Sequence, residues 1–172
     1  EYALDKYSFD KIIFIPSYIP PHKNINPQLA EHRYKMVELM IENYDCLSIS
    51  DIGNNEKYKY TYQTLDYFQN KYKDAELYFI CGTDNLNEFE TWKEYKYVLE
   101  NYKLLVIKRN NDDLDSILKK YNGYQESIVI TDVIPKLVSS TSIRENINKS
   151  EIKNYLDEKV YEYIVEKGLY KS

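Results

Sequence analysis

A chain of 172 residues, 43% hydrophobic and 30% charged, is long enough for one well-packed core without disulfides or a structural metal, and it reads as a single domain over residues 1–172. Its formal net charge of −5 excludes a broad nucleic-acid surface, which needs a basic field, while leaving room for a small basic pocket. No apolar run approaches a membrane span, no signal-peptide pattern opens the chain, and Cys46 and Cys81 lack metal or CxxC spacing, so a cytoplasmic protein with reduced thiols is expected.

Taken in order, EYALDKYSFD reads as the end of a helix already under way at Glu1, and DKIIFIP (residues 10–16) as a central strand closed by proline. A loop stiffened by Pro20 and Pro21 follows and carries His22 and Lys23. Residues 28–43 have the apolar spacing of an amphipathic helix, and residues 46–52, CLSISDI, alternate as a strand ended by Gly53. Thr61 stands as the N-cap of a helix that turns Leu65, Phe68 and Tyr72 inward. Leu77 to Cys81 reads as a strand buried on both faces, turning at Gly82 into helical residues that carry Leu86, Phe89 and Trp92. Further strands are predicted at 103–108 and 125–133, separated by a short helix capped by Asp112 or Asp113. From Ser140 the chain is helical, broken near Ser150 and closed by Gly168. Strands alternating with helices predict an α/β fold, a mostly parallel sheet with helices on both faces.

Neither GxGxxG nor a P-loop occurs, so phosphates would have to be held by helix starts and basic side chains. Three stretches offer this. At GTD, Gly82 lets a ligand approach the backbone, Asp84 offers acceptors to ribose hydroxyls, and Trp92 offers a stacking face; the alternative is a glycine turn, a helix capped at Asp84 and a core tryptophan. At VSSTSIR, the hydroxyls of Ser140 and Thr141 at a helix start and Arg144 one turn in suffice for an anion, although a well-capped helix with a solvated arginine reads the same way. At KYTYQT, free amides near Thr61 suit a carboxylate and Tyr60 a flat ring, against simple capping. His32 and Arg33 read as solvated or paired. No triad, dyad or carboxylate pair is available for hydrolysis.

The order FIPSYIPPHK, HRxxMVELMI, KYTYQTL, YFICGTDNLNEFETWKEYKYVL, VSSTSIREN and VYEYIVEKGLY resembles bacterial nicotinate mononucleotide adenylyltransferase over nearly the whole chain. The resemblance implies a Rossmann-like nucleotidyltransferase fold. It also implies transfer of the AMP part of ATP to nicotinate mononucleotide with release of pyrophosphate, using Mg2+, in NAD biosynthesis. On it, Trp92 stacks on the pyridine ring, Tyr60, Thr61 and their amides surround the carboxylate, Asp84 after Gly82 holds ribose, and Lys23 faces phosphate. Ser140, Thr141 and Arg144 form the triphosphate cradle, and Gly82 and Arg109 also belong to the ATP side. Arg109 matches an arginine that usually precedes Pro-Gly, here replaced by Asn110 and Asn111, and Lys93 stands where an aromatic or polar residue often follows the tryptophan. The catalytic roles fall to Lys23 and Arg144, and the partners are ATP and nicotinate mononucleotide, with neither nucleic acid nor membrane and with a homo-oligomer left open.

Members of that family begin with a strand and GGTFDPxHxGH, which this sequence lacks. Loss of one electrostatic donor costs about 3 kcal/mol. The segment is therefore expected to bind better than it catalyses, and the natural polypeptide to carry roughly 20 more residues at its amino end, enough for a strand, a loop and most of a helix. That central strand is expected between those at Lys11–Ile15 and Leu77–Cys81. The rival readings are a related adenylyltransferase acting on nicotinamide mononucleotide or pantetheine phosphate, and a nucleotide-binding module without catalysis.

Overall fold

A computed structural model describes residues 2–16, 27–108, 112–133 and 138–170. The chain divides into two compact units, residues 56–136 and residues 1–55 with 137–172.

Residues 56–136 are built on a three-stranded parallel sheet, β3 (Tyr78–Gly82), β4 (Lys103–Ile107) and β5 (Ile128–Thr131), in that spatial order. Their register puts Gly82 beside Ile107 and Ile107 beside Thr131, so the carboxyl ends of all three strands finish in one row. Parallel strands need crossovers. Here they are supplied by α4 (Thr83–Glu88) and α5 (Tyr95–Asn101) between β3 and β4, and by α6 (Leu114–Lys119) between β4 and β5. Cys81, Leu104, Val106 and Ile128 form one core with Leu86, Phe89, Val98 and Leu99 of the crossovers and Leu65 of α3 (Thr61–Lys71). Tyr121 is buried because its hydroxyl is satisfied: it donates to the Leu86 carbonyl and accepts from the Glu90 N–H at 3.2 Å. The α6 cap is Asp113, whose Oδ1 accepts from the Ser116 N–H at 3.1 Å.

The other unit holds a parallel pair, β1 (Ile12–Phe14) and β2 (Leu47–Ile49), joined through α2 (Pro27–Ile41). Both strands are shorter than their apolar patterns predict, since only three residue pairs are in register. Among the described residues β1 pairs only with β2, and β3 only with β4. After β2 the backbone passes Pro16 so closely that a Cβ on Gly53 would lie 2.8 Å from the Pro16 carbonyl oxygen. A second core joins Met36 and Leu39 of α2 to Ile147, Ile152 and to Val160 and Ile164 of α8 (Glu158–Glu166). His32 is a packing residue here, its Nδ1 2.8 Å from the Tyr163 hydroxyl, in accord with the paired reading. Gly168 ends α8 at φ +62°, where the Leu169 N–H reaches the Ile164 carbonyl at 3.0 Å; a Cβ would strain this turn.

Asp66 of α3 accepts hydrogen bonds from Tyr102 (2.6 Å) and Tyr97 (2.9 Å). Burial, then the bond to Asp66, pushes the Tyr102 phenol upward, and the same bond leads for Tyr97. A phenol harder to ionise folded than unfolded stabilises the fold fully below the unfolded value of about 10, and that contribution is lost as pH rises beyond it. Denaturant unfolding above pH 10 should therefore show stability falling by up to about 1.4 kcal/mol per pH unit from the buried Tyr102, and more shallowly in Tyr102→Phe. Equal slopes in both proteins would contradict the assignment.

Candidate active site

The β3 tip carries the first group of residues. Gly82 is the N-cap of α4, with φ −90° and ψ 167°, so the helix is capped there rather than at Asp84. Asp84 becomes the second helical residue, exposed and favourably placed toward the helix dipole. Thr83 is fully buried and its hydroxyl donates to the Asp112 carboxylate, tying the α4 start to the chain after β4. Burial, with Asp84 nearby, pushes the Cys81 thiol up to about 12, which removes it as a nucleophile at neutral pH.

Trp92 is half-buried. One part of the indole meets Phe89 (ring centroids 5.0 Å) and the edge of Phe79 (5.8 Å), and the remainder stays accessible. Glu94, two residues on, has φ +57°, a left-handed conformation that costs a non-glycine residue about 1–2 kcal/mol. Between them stands Lys93, whose ammonium lies 4.7 Å from the centre of the Tyr60 ring.

Tyr60 is where α3 is capped, one residue before the predicted Thr61. Its own N–H donates to Gln63 Oε1 at 3.1 Å, while its carbonyl accepts from the N–H groups of Gln63 and Thr64. Sequence alone misplaces this cap because Thr61 has the better capping side chain and Tyr60 has none; Gln63, three residues after Tyr60, is the signal that locates it. The first-turn amides of Thr61 and Tyr62 then point out of the helix end. Tyr60 is exposed, stacked on Tyr62 at 6.2 Å and 14°, and Tyr62 meets the edge of Tyr97 at 6.3 Å.

In the other unit, α7 (Ser140–Glu145) is capped by Ser139, whose Oγ accepts from the Ser142 N–H at 3.0 Å. The cap uses one hydroxyl and leaves Ser140, Thr141 and Arg144 exposed on a single turn, with Arg144 Nη2 donating to Thr141 Oγ1 at 3.1 Å. Burial pushes the Tyr170 phenol up, while the positive charges of Arg144 and Arg33 act on it in the opposite sense. Lys23, His22 and Arg109 lie outside the described residues. A separate groove of about 480 Å³ is lined by Phe14, Met36, Val37, Met40 and Val160 beside Arg33, and none of the nucleotide-site candidates contributes to it.

Residues 1–146 match the cytidylyltransferase-like family. A probable nicotinate-nucleotide adenylyltransferase of Clostridium tetani is 40% identical over 98% of this chain and 88% of its own length. Another, from Caldicellulosiruptor saccharolyticus, is 36% identical over 100% of this chain and 89% of its own. This chain belongs to the nicotinate-nucleotide adenylyltransferase family. Its fold is also that of Plasmodium falciparum nicotinic acid mononucleotide adenylyltransferase complexed with NaAD, at a TM-score of 0.75 and 22% identity over 98% of this chain and 88% of that one. The same enzyme complexed with APC gives 0.72. The Rossmann-like nucleotidyltransferase fold that the family resemblance implied, with the parallel strands that the alternating elements predicted, is therefore the fold observed.

Within this adenylyltransferase the structure groups Tyr60 and Thr61 at one helix start with Lys93, the neighbour of Trp92. It also groups Ser140, Thr141 and Arg144 on one turn. Two features escape sequence reading: the contact of Lys93 with Tyr60, residues 33 positions apart, and the bond from Thr83 to Asp112 across 29. Neither has a local signature.

Proposed function

We propose that this adenylyltransferase of NAD biosynthesis takes nicotinate mononucleotide and ATP, with Tyr60, Thr61, Asp84 and Trp92 serving the mononucleotide and Gly82, Arg109, Ser140, Thr141 and Arg144 serving ATP. The observation that carries the reading is the start of α3, where free amides and the Tyr60 ring stand together with Lys93 and its neighbour Trp92. An aromatic face for a pyridine ring beside donors for its carboxylate is what that substrate requires. Asp84 and Gly82 supply the ribose contact and the close backbone approach.

In the reaction a 5′-phosphate oxygen of the mononucleotide attacks the α-phosphorus of ATP, the bond from that phosphorus to the bridging oxygen breaks, and pyrophosphate leaves with the electron pair. No protein nucleophile is needed, so the chain acts by positioning and by neutralising developing charge. Lys23, Arg109 and Arg144 are the cations proposed for this. Among the described residues no three His, Cys, Asp or Glu side chains gather as a metal cage. The hydroxyls, amides and guanidinium suit phosphate oxygens, so Mg2+ fits as an ion held chiefly by the nucleotide phosphates and water. When bound it would supply charge neutralisation on those phosphates. The location proposed for this biosynthetic enzyme is the cytoplasm; no helix among the described residues is long and apolar enough to cross a membrane.

The test is an assay of pyrophosphate release from ATP with nicotinate mononucleotide, nicotinamide mononucleotide and pantetheine phosphate in parallel. Turnover with nicotinate mononucleotide and a clear excess over the other two is expected; preference for either competitor would overturn the substrate assignment.

A further inference from the structure

The position of Lys93 is electrostatically odd. Its ammonium sits on the ring of Tyr60, the residue that caps α3, and so stands at the positive end of an eleven-residue helix, where a cation is disfavoured. The ring face compensates in part. No acidic partner does so: among the described residues no carboxylate forms an ion pair with Lys93. The perch itself is tied into a chain of aromatic contacts. Tyr60 stacks on Tyr62, Tyr62 meets Tyr97, and the Tyr97 hydroxyl is held by Asp66 at 2.9 Å. From the other side the left-handed Glu94 turns the backbone immediately after Lys93.

We infer that Lys93 is a specificity-determining residue of this enzyme, its ammonium and the first-turn amides of α3 together selecting a pyridine mononucleotide that bears a carboxylate over one that bears a carboxamide. The inference rests on the proposed mononucleotide site. A carboxylate between the ammonium and the helix start is attracted by both and relieves the repulsion between them. A neutral carboxamide gains far less and brings a donor NH2 group to a place already full of donors. Trp92 orients the ring, and its covalent neighbour Lys93 reads the substituent.

The chain contains one tryptophan, so intrinsic fluorescence reports ring stacking on Trp92 directly. Nicotinate and nicotinamide mononucleotides would be titrated separately into the wild-type protein, Lys93→Met and Lys93→Arg, with kcat/KM measured for both alongside. Lys93 is exposed, so neither variant should lower Tm appreciably. Lys93→Met is expected to weaken nicotinate mononucleotide about fivefold, the upper end for an exposed ion pair, while changing nicotinamide mononucleotide by less than about twofold. Lys93→Arg should keep the wild-type ratio, and the difference between acid and amide should shrink as salt is raised. Equal weakening of both mononucleotides would place Lys93 on their shared phosphate and overturn the inference, as would an unchanged ratio. If the wild-type protein binds neither mononucleotide, the substrate assignment fails and this inference with it. If wild type prefers the acid and the variants preserve that preference, only the role of Lys93 fails.

Discussion

Replacing Trp92 by alanine should raise the KM for nicotinate mononucleotide by roughly 10- to 100-fold, the loss of a stacking interaction worth about 1–3 kcal/mol, with a much smaller effect on the KM for ATP. The indole is only half-buried, so part of its surface is free for a ligand while another part packs on Phe89 and Phe79. The substitution therefore has two consequences. Lost ring contacts lower the Tm, each aromatic pair contributing about 0.5–1.5 kcal/mol beyond area burial. Kinetics on the folded fraction separate these: stacking on a substrate gives a loss confined to the mononucleotide, whereas a purely structural tryptophan gives equal losses for both substrates. Trp92→Phe should recover most of the Tm and part of the affinity.

Arg144→Ala should reduce kcat/KM for ATP about 10- to 100-fold, the effect of removing one charge-assisted hydrogen bond to phosphate. Because Arg144 is exposed and bonded within the described residues to Thr141 on its own turn, unfolding should be changed by no more than about 0.5 kcal/mol. Arg144→Lys keeps the charge but loses the planar fork, and should fall between the two. Fluorescence titration of nicotinate mononucleotide should be unaltered in both variants. Wild-type ATP kinetics in Arg144→Ala would remove this residue from the phosphate site, and Thr141→Ala would then have no reason to affect ATP either.

Much of the architecture was legible because it rests on local chemistry. The apolar runs at Lys103–Ile107 and Tyr78–Gly82 are strands, Gly168 ends its helix in the conformation that glycine tolerates, and the break near Ser150 is a 3-10 turn over Ser150–Tyr155. The limits of elements were less legible. Residues 125–127 look like the beginning of a strand but form a 3-10 turn, since β5 is hydrogen-bonded to β4 only from Ile128, opposite Leu104. The cap of α3 moved from Thr61 to Tyr60, where Gln63 satisfies the N–H that a tyrosine side chain does not.

By itself the sequence determined the alternation of strands and helices, the parallel sheet that alternation requires, and the residue types at each strand tip, because periodicity, turn chemistry and caps act over a few positions. Only the tertiary structure decided which distant side chains meet: the ammonium of Lys93 on the ring of Tyr60, the hydroxyl of Thr83 on Asp112, and the hydroxyls of Tyr97 and Tyr102 on Asp66. Those pairings follow from strand register and helix packing, which depend on contacts dozens of residues apart and leave no trace in any short stretch of the chain.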